Sequence, residues 1–392
     1  MKSYKHLFEE NLDWAKETFE KLNKKAAVMA VRSRDKIADG VDENGMHVST
    51  VPHDWTSGFW GGMNAMLYEY TKNEEYLKTA KNIEKKIDVA LADYPTLHHD
   101  VGFMWHILSG VLYRVTGDND SRVRDLFASS SLASRYVLNG GFIRAWNSWT
   151  GSTTPAEDCN YDRTIVDCMM NIPMLYWASR EIGDDRFKQV AMAHADMTMR
   201  DHVRDDGSVV HIVDHDRESA TVVRTLGGQG YEVGSSWSRG QGWALYGFAL
   251  SYIHTGEKRY LDTAKRVANY FIANCCDDWL PRVDFRSPEE PVLYDATAGA
   301  IAACGLIELG KRLPEYEGGM YMHAAIKILR AMTESFCDFD ESNDHILGFG
   351  TALYPINEQE SKRARLHSSI IYGDYFYTEA ILKLVGSEFL PW

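Results

Sequence analysis

Positive charge is scarce in this chain: 42 lysines and arginines face 56 aspartates and glutamates, a formal charge of −14 over 392 residues. That sign excludes a protein that neutralises phosphates or clings to an anionic bilayer, so neither nucleic acid nor a membrane is an expected partner. No apolar run reaches the roughly 18 residues of a membrane-crossing helix. The opening MKSYKHLFEENLDW carries acids where a secretory leader needs an apolar core, so a cytoplasmic protein is expected. Cysteine is sparse as well: Cys159, Cys168, Cys275, Cys276, Cys304 and Cys337 include no CxxC, and several sit in apolar stretches, the pattern of packed, reduced thiols. No Pro/Ser linker and no shift in composition divides the chain, so a single domain spanning 1–392 is expected.

What is present is apolar and aromatic. At 45% hydrophobic residues and 12% aromatics the chain cannot be disordered and has material for a large core. Phe8, Leu12, Ala15, Phe19 and Leu22 form one apolar stripe at helical spacing. Related amphipathic segments return as EYLKTAKNIEKKI, SRVRDLFASSSLASRY, DRFKQVAMAHADM, KRYLDTAKRVANYF and YMHAAIKILRAM. Between them lies a second series, Gly-rich and apolar all round: TSGFWGGMNAMLY, HHDVGFMWHILSG, TIVDCMMNIPMLYWA, SRGQGWALYGFALSYI, LYDATAGAIAACGLIELG and IIYGDYFYTEAILKL. A helix with no polar face must be buried. The alternation therefore predicts an all-α fold of six helical hairpins closed into a ring, the buried series inside. Each inner helix opens with its polar or glycine residues, so the six starts converge at one mouth. Long insertions at 138–163, 201–236, 276–292 and 337–369 precede several of them, and DGSVVHIVDHD alternates like a short hairpin able to roof that mouth.

Asp167 is the sole formal charge between Ile165 and Ser179. A carboxylate so placed is either a structural group satisfied by an arginine or helix ends, or a catalytic acid whose proton affinity burial has raised. Asp100, in HHDVGFMW, opens the next buried helix and reads either as a helix cap or as a partner carboxylate across the cavity, the arrangement of glycosidic-bond chemistry. A metal reading of the His-His-Asp run is set aside, because adjacent histidines on a helix point apart and no second ligand cluster appears. Arg239 and Trp243 are one helical turn apart; the pair reads as a guanidinium fork with an indole stacking floor, or else Arg239 merely neutralises Asp100 or Asp167. Trp55, Trp60, Trp105, Trp146 and Trp149 crowd the mouth segments, which suits a sugar ligand, and His211 and Gln229 in the insertion before Arg239 offer partners for its hydroxyls. GGQGYEVG fits no phosphate loop, DFDESND lacks the glycine and closing glutamate of an EF-hand, and no GxSxG is present.

DWTSGFW, HHDVGFMW, IVDCMMNIPMLYWA, SWSRGQGWALYG and IYGDYFYTEAILKL, in this order from about residue 50 to residue 385, resemble the unsaturated glucuronyl hydrolases of glycoside hydrolase family 88. The resemblance implies an (α/α)6 barrel and, as substrate, oligosaccharides left by polysaccharide lyases with an unsaturated uronic acid at the non-reducing end. It implies Asp167 as acid/base and Asp100 as second carboxylate. His99, His211, Gln229, Arg239 and Trp243 would line the sugar subsite, with Trp146 as a stacking position. No cofactor or metal is implied, and a monomer or homodimer is expected. The sister rhamnogalacturonyl hydrolases match less well. A sugar 2-epimerase would need paired histidines on neighbouring inner helices, and a non-catalytic sugar-binding protein would have no need of lone buried carboxylates.

Overall fold

The computed structural model describes residues 2–147, 161–275 and 277–392, so Trp149, Cys159 and Cys276 lie outside the described residues. In chain order the helices are α1 (Tyr4–Arg32), α2 (Phe59–Thr71), α3 (Glu74–Leu91), a wide-wound segment Gly102–Gly110 running on into α4 (Val111–Thr116), α5 (Asn119–Ala133), α6 (Pro173–Ile182), α7 (Arg186–Asp201), α8 (Ser238–Thr255), α9 (Lys258–Asn274), α10 (Ala296–Arg312), α11 (Glu315–Ser335), the short α12 (Glu358–Arg363) and α13 (Ile371–Leu384). Local chemistry sets their ends. Asn73, Asp118 and Asp295 accept the backbone N–H two residues on and start α3, α5 and α10. Left-handed Gly117, Gly183 and Gly256 stop α4, α6 and α8.

The two helix series take the two positions expected of them. Ser238–Ser251 of α8, Ala296–Gly310 of α10 and all of α13 are buried, whereas α3 and α9 bury one face only. Among the inner elements, α13 packs between α10 and α2, α2 meets the Gly102–Gly110 segment, that segment meets α6, and α8 joins α6 and the turn before it to α10. The circle is thereby closed. Helix α1 lies against α11, α3 and α13, so the first and last long helices complete the sixth hairpin and the fold is an (α/α)6 barrel. Its axis is filled by rings: Trp392 stacks on Phe376 at 5.7 Å, and Trp243 lies 5.2 Å from Phe103 and 5.4 Å from Phe376. The ring is therefore a cup, open at the starts of the inner helices. No helix among the described residues is long and apolar enough to cross a membrane.

Two local expectations are corrected. TIVDCMM is not helical: strand Tyr161–Ile165 leads into a 3-10 turn, Val166–Met170, and the inner helix begins only at Pro173. The β-branched run Thr164-Ile165-Val166 favours extended backbone, and a proline with no N–H to give belongs in a helix's first turn. DGSVVHIVDHD does not fold on itself into a roof. Its strand Ile212–Asp216 is central in an antiparallel sheet, between Tyr161–Ile165 and Val222–Leu226.

The cup wall is tight where α2 begins. A Cβ on Gly58 would stand 2.2 Å from the Phe103 carbonyl oxygen and 2.3 Å from that of Met104, both backbone atoms that cannot rotate away. Gly58→Ala should therefore destabilise the fold by about 1–3 kcal/mol, the usual cost of overpacking. Chemical denaturation checks this, and an unchanged midpoint would show that the two inner elements slide apart freely.

Candidate active site

Strand pairing assembles the first half of the site. Ile165 lies opposite Ile212 in the sheet, and Val166 N–H donates to the His211 carbonyl at 3.0 Å. Asp167 and His211, both just past the paired ends, are thereby brought side by side: His211 Nε2 is 3.4 Å from Asp167 Oδ1. The backbone N–H of Gln229 donates to His211 Nδ1 at 3.0 Å. A nitrogen that accepts an N–H carries no proton of its own, so the neutral ring's hydrogen is on Nε2, facing the carboxylate.

Asp100 supplies the second carboxylate from the turn ahead of the Gly102–Gly110 segment. Asn171, which the sequence reading passed over, ties the two acids together. Its Nδ2 donates to Asp100 Oδ1 at 3.3 Å and to the Asp167 carbonyl at 3.4 Å, while its Oδ1 accepts from Phe103 N–H at 3.0 Å. A lone amide in an apolar segment, four residues from the lone acid, was the available signal. Burial raises the Asp100 carboxyl above the usual range and the neighbouring Asp167 charge acts in the same sense, opposed by His98 and Asn171. His98 Nδ1 is 3.1 Å from Asp100 Oδ2, and His99 Nδ1 is 3.2 Å from Oδ1. Burial also holds His99 far below the ordinary imidazole value, so it is neutral near pH 7. Trp146, half-buried, meets the His99 ring edge-on at 5.5 Å.

The opposite wall is a stack of flat groups. The His211 ring lies 4.3 Å from Trp237, the Arg239 guanidinium 4.5 Å from Trp237 on one side and 5.2 Å from Tyr372 on the other, and Tyr372 lies 5.0 Å from Trp55. Trp55 in turn is 5.6 Å from Phe103, which returns the circuit to the Asp100 segment. Gln229 is fixed here too, donating from Nε2 to the Ala352 carbonyl at 2.6 Å.

Three sequence expectations change. Arg239 pairs with neither Asp100 nor Asp167, nor does it hold out a free fork. Its Nη1 donates to Asp295 Oδ2 (2.7 Å), Thr297 Oγ1 (3.1 Å) and the Thr351 carbonyl (2.9 Å), and its Nη2 to the Ala352 carbonyl (2.6 Å). Trp243 has no exposed surface and belongs to the axial core beneath the site, so it offers no stacking face. Trp60 is likewise enclosed, its Nε1 donating to the Ser33 carbonyl at 3.2 Å. Trp243 lies in the core below the mouth, and Trp60, at the start of α2, is turned outward against the end of α1 and His47. Asp100, Asp167, His99, His211, Gln229 and Trp146 are the candidates that gather at the mouth.

The barrel is that of a known class. The family model of Glycosyl Hydrolase Family 88 matches residues 29–283. The unsaturated glucuronyl hydrolase of Bacillus sp. (strain GL1) is 34% identical over 353 residues, 89% of this chain and 90% of that protein. The unsaturated chondroitin disaccharide hydrolase of Streptococcus pneumoniae is 32% identical over 345 residues, 86% of this chain and 84% of that one. The crystal structure of the unsaturated glucuronyl hydrolase from Bacillus sp. GL1 superposes with a TM-score of 0.86 at 32% identity, covering 94% of this chain and 96% of the other. The molecule is a glycoside hydrolase built on an (α/α)6 barrel, which removes the isomerase and binding-only readings. Within that class, the chain belongs to glycoside hydrolase family 88.

The satisfied guanidinium generates a prediction about stability. An ammonium in its place cannot reach Asp295, Thr297 and two carbonyls together, nor lie flat between Trp237 and Tyr372. Arg239→Lys should lower folding stability by about 1.5–3 kcal/mol, the scale of a lost hydrogen bond to a charged group. Thermal unfolding reads this directly; a variant that melts with the parent would show that the network carries no net energy.

Proposed function

We propose that this chain hydrolyses oligosaccharides whose non-reducing end is a Δ4,5-unsaturated uronic acid, as left by polysaccharide lyases, with residues 1–392 acting as one catalytic unit. The observation that carries the proposal is the pair Asp100 and Asp167, bridged by Asn171 and flanked by His99 and His211, at the open end of a closed-bottomed barrel. The names of the family relatives above supply the substrate class.

Such a sugar is an enol ether, with C5 bearing the ring oxygen and the carboxylate. Burial of the Asp100 carboxyl, with the neighbouring Asp167 charge acting in the same sense, favours its protonated form. Following the family resemblance, Asp167 gives the proton to C4, which leaves positive charge shared by C5 and O5. Water adds at C5 and returns its proton to Asp167, so the net change is one water gained. The product at C5 is a hemiketal, which opens and releases the rest of the sugar. Asp100 sets the proton affinity of the pair. His211 stands beside Asp167, and Gln229 fixes the His211 ring through its backbone N–H. His99 and Trp146 form the wall on the Asp100 side, one polar edge and one ring face suited to a pyranose. Arg239 buttresses the opposite wall. No cofactor enters these steps. The buried thiols Cys168 and Cys304 suit a reducing cytoplasm.

The test is loss of the ultraviolet absorbance of the conjugated double bond with a panel of chondroitin, hyaluronan, heparin, gellan and rhamnogalacturonan lyase products. Asp167→Asn should fold and lose roughly a thousandfold in kcat, within the range for general acid–base catalysis. Asp100→Asn should also cut kcat while leaving KM nearly unchanged. An Asp167→Asn enzyme keeping about a tenth of parent turnover would remove that residue from the proton transfer. Activity on rhamnogalacturonan products alone would move the chain to the sister specificity.

A further inference from the structure

The turn that carries Asp100 holds more than a carboxylate. His98, His99 and Asp100 are consecutive, and on a regular helix their side chains would diverge. They precede the helix instead, and the turn folds both imidazoles back onto the acid, each Nδ1 facing a different carboxylate oxygen at 3.1 and 3.2 Å. One ligand atom from each of the three residues lies within 4.8 Å of the others.

We propose that His98, His99 and Asp100 form a binding site for zinc(II) at the wall of the cup, and that a bound ion would hold the Asp100 carboxylate and stop the hydrolysis. The second half rests on the role of Asp100 given above; the first does not.

Four observations carry the site. The spacing is near that of a zinc centre: bonds of about 2.0–2.1 Å set tetrahedral ligands about 3.3 Å apart, each imidazole stands at about that distance from its own carboxylate oxygen, and with all three ligand atoms within 4.8 Å a small rotation of the side chains would bring them round one ion. The donors fit as well, since two imidazole nitrogens and one carboxylate oxygen are a ligand set that zinc accepts, with the fourth place left for water. His98 keeps about a fifth of its side chain (22%) exposed, so an ion entering from the mouth can reach the cluster. Most telling is His99. It is 1% exposed, yet neither ring nitrogen has a hydrogen-bond partner among the described residues, although Nδ1 is 3.2 Å from Asp100. A buried imidazole ordinarily satisfies both nitrogens, and a metal ion in front of Nδ1 would supply the missing partner.

The experiment titrates ZnCl2 into EDTA-stripped, desalted full-length protein by calorimetry, with cobalt(II) as an optical probe of tetrahedral geometry. One equivalent of zinc should bind, and His98→Ala should weaken that binding by more than about a hundredfold, beyond the loss from removing even an outer partner of a metal ligand. His98→Gln provides a second variant should the alanine protein fail to fold. In the parent, hydrolysis should fall in step with zinc occupancy and return on adding EDTA. Absence of binding at large zinc excess, or binding equally strong in a folded His98 variant, would overturn the site and leave a simple His98–Asp100 contact. Zinc held through His98 with hydrolysis undiminished would uphold the site and instead remove Asp100 from the reaction.

Discussion

A helix with no polar face persists in water only when it is wrapped on every side, and this chain contains six such segments. Most of its architecture answers that one constraint. Side-by-side packing covers two flanks of each inner helix, an amphipathic partner covers the outside, and aromatic rings along the axis cover the inside. Only a closed circle leaves no inner helix with a bare edge, and closure falls to α1 and α13, which lie at opposite ends of the sequence. The charged groups that enter this core do so in company: Lys383 is buried between Glu308 and Glu379, and Glu379 also accepts from Tyr246 and from Trp392 Nε1.

The same constraint decides where chemistry can occur. Polar groups excluded from the inner helices collect at their starts, and the circle gathers those starts at one end. Contacts run around the mouth from Asp100 through Asn171, Asp167, His211, Trp237, Arg239, Tyr372 and Trp55 to Phe103, so each wall group is held by its neighbours. Rigidity of this kind would serve the proposed proton transfer to a carbon atom, because donor and acceptor must hold their geometry while charge develops.

Both carboxylates were legible in the residues because a solitary acid in an apolar segment is conspicuous, and His211, Gln229 and Trp146 were legible as polar or aromatic groups in segments that had to face the mouth. Asn171 was equally visible and carried a signal of the same kind. Asp295, by contrast, reads as an ordinary helix cap and does cap α10, yet its other oxygen is the counter-charge of Arg239, 56 residues away. Trp60 and Trp243 mislead in the opposite sense: a tryptophan beside polar residues in sequence says nothing about which of its faces the neighbouring helices cover.

The sequence by itself determined the helix series, their amphipathic or all-apolar character, the ring, and the end of the ring at which polar chemistry collects, because periodicity and burial are properties of each segment. Tertiary structure alone decided the pairings. Asp167 meets His211 only because Ile165 and Ile212 share a register across two strands. Both histidines converge on Asp100 only because a turn, rather than a helix, precedes Gly102. Distances between side chains depend on which segments become neighbours and in what register. Those are relations between parts of the chain, and no single segment's pattern encodes them.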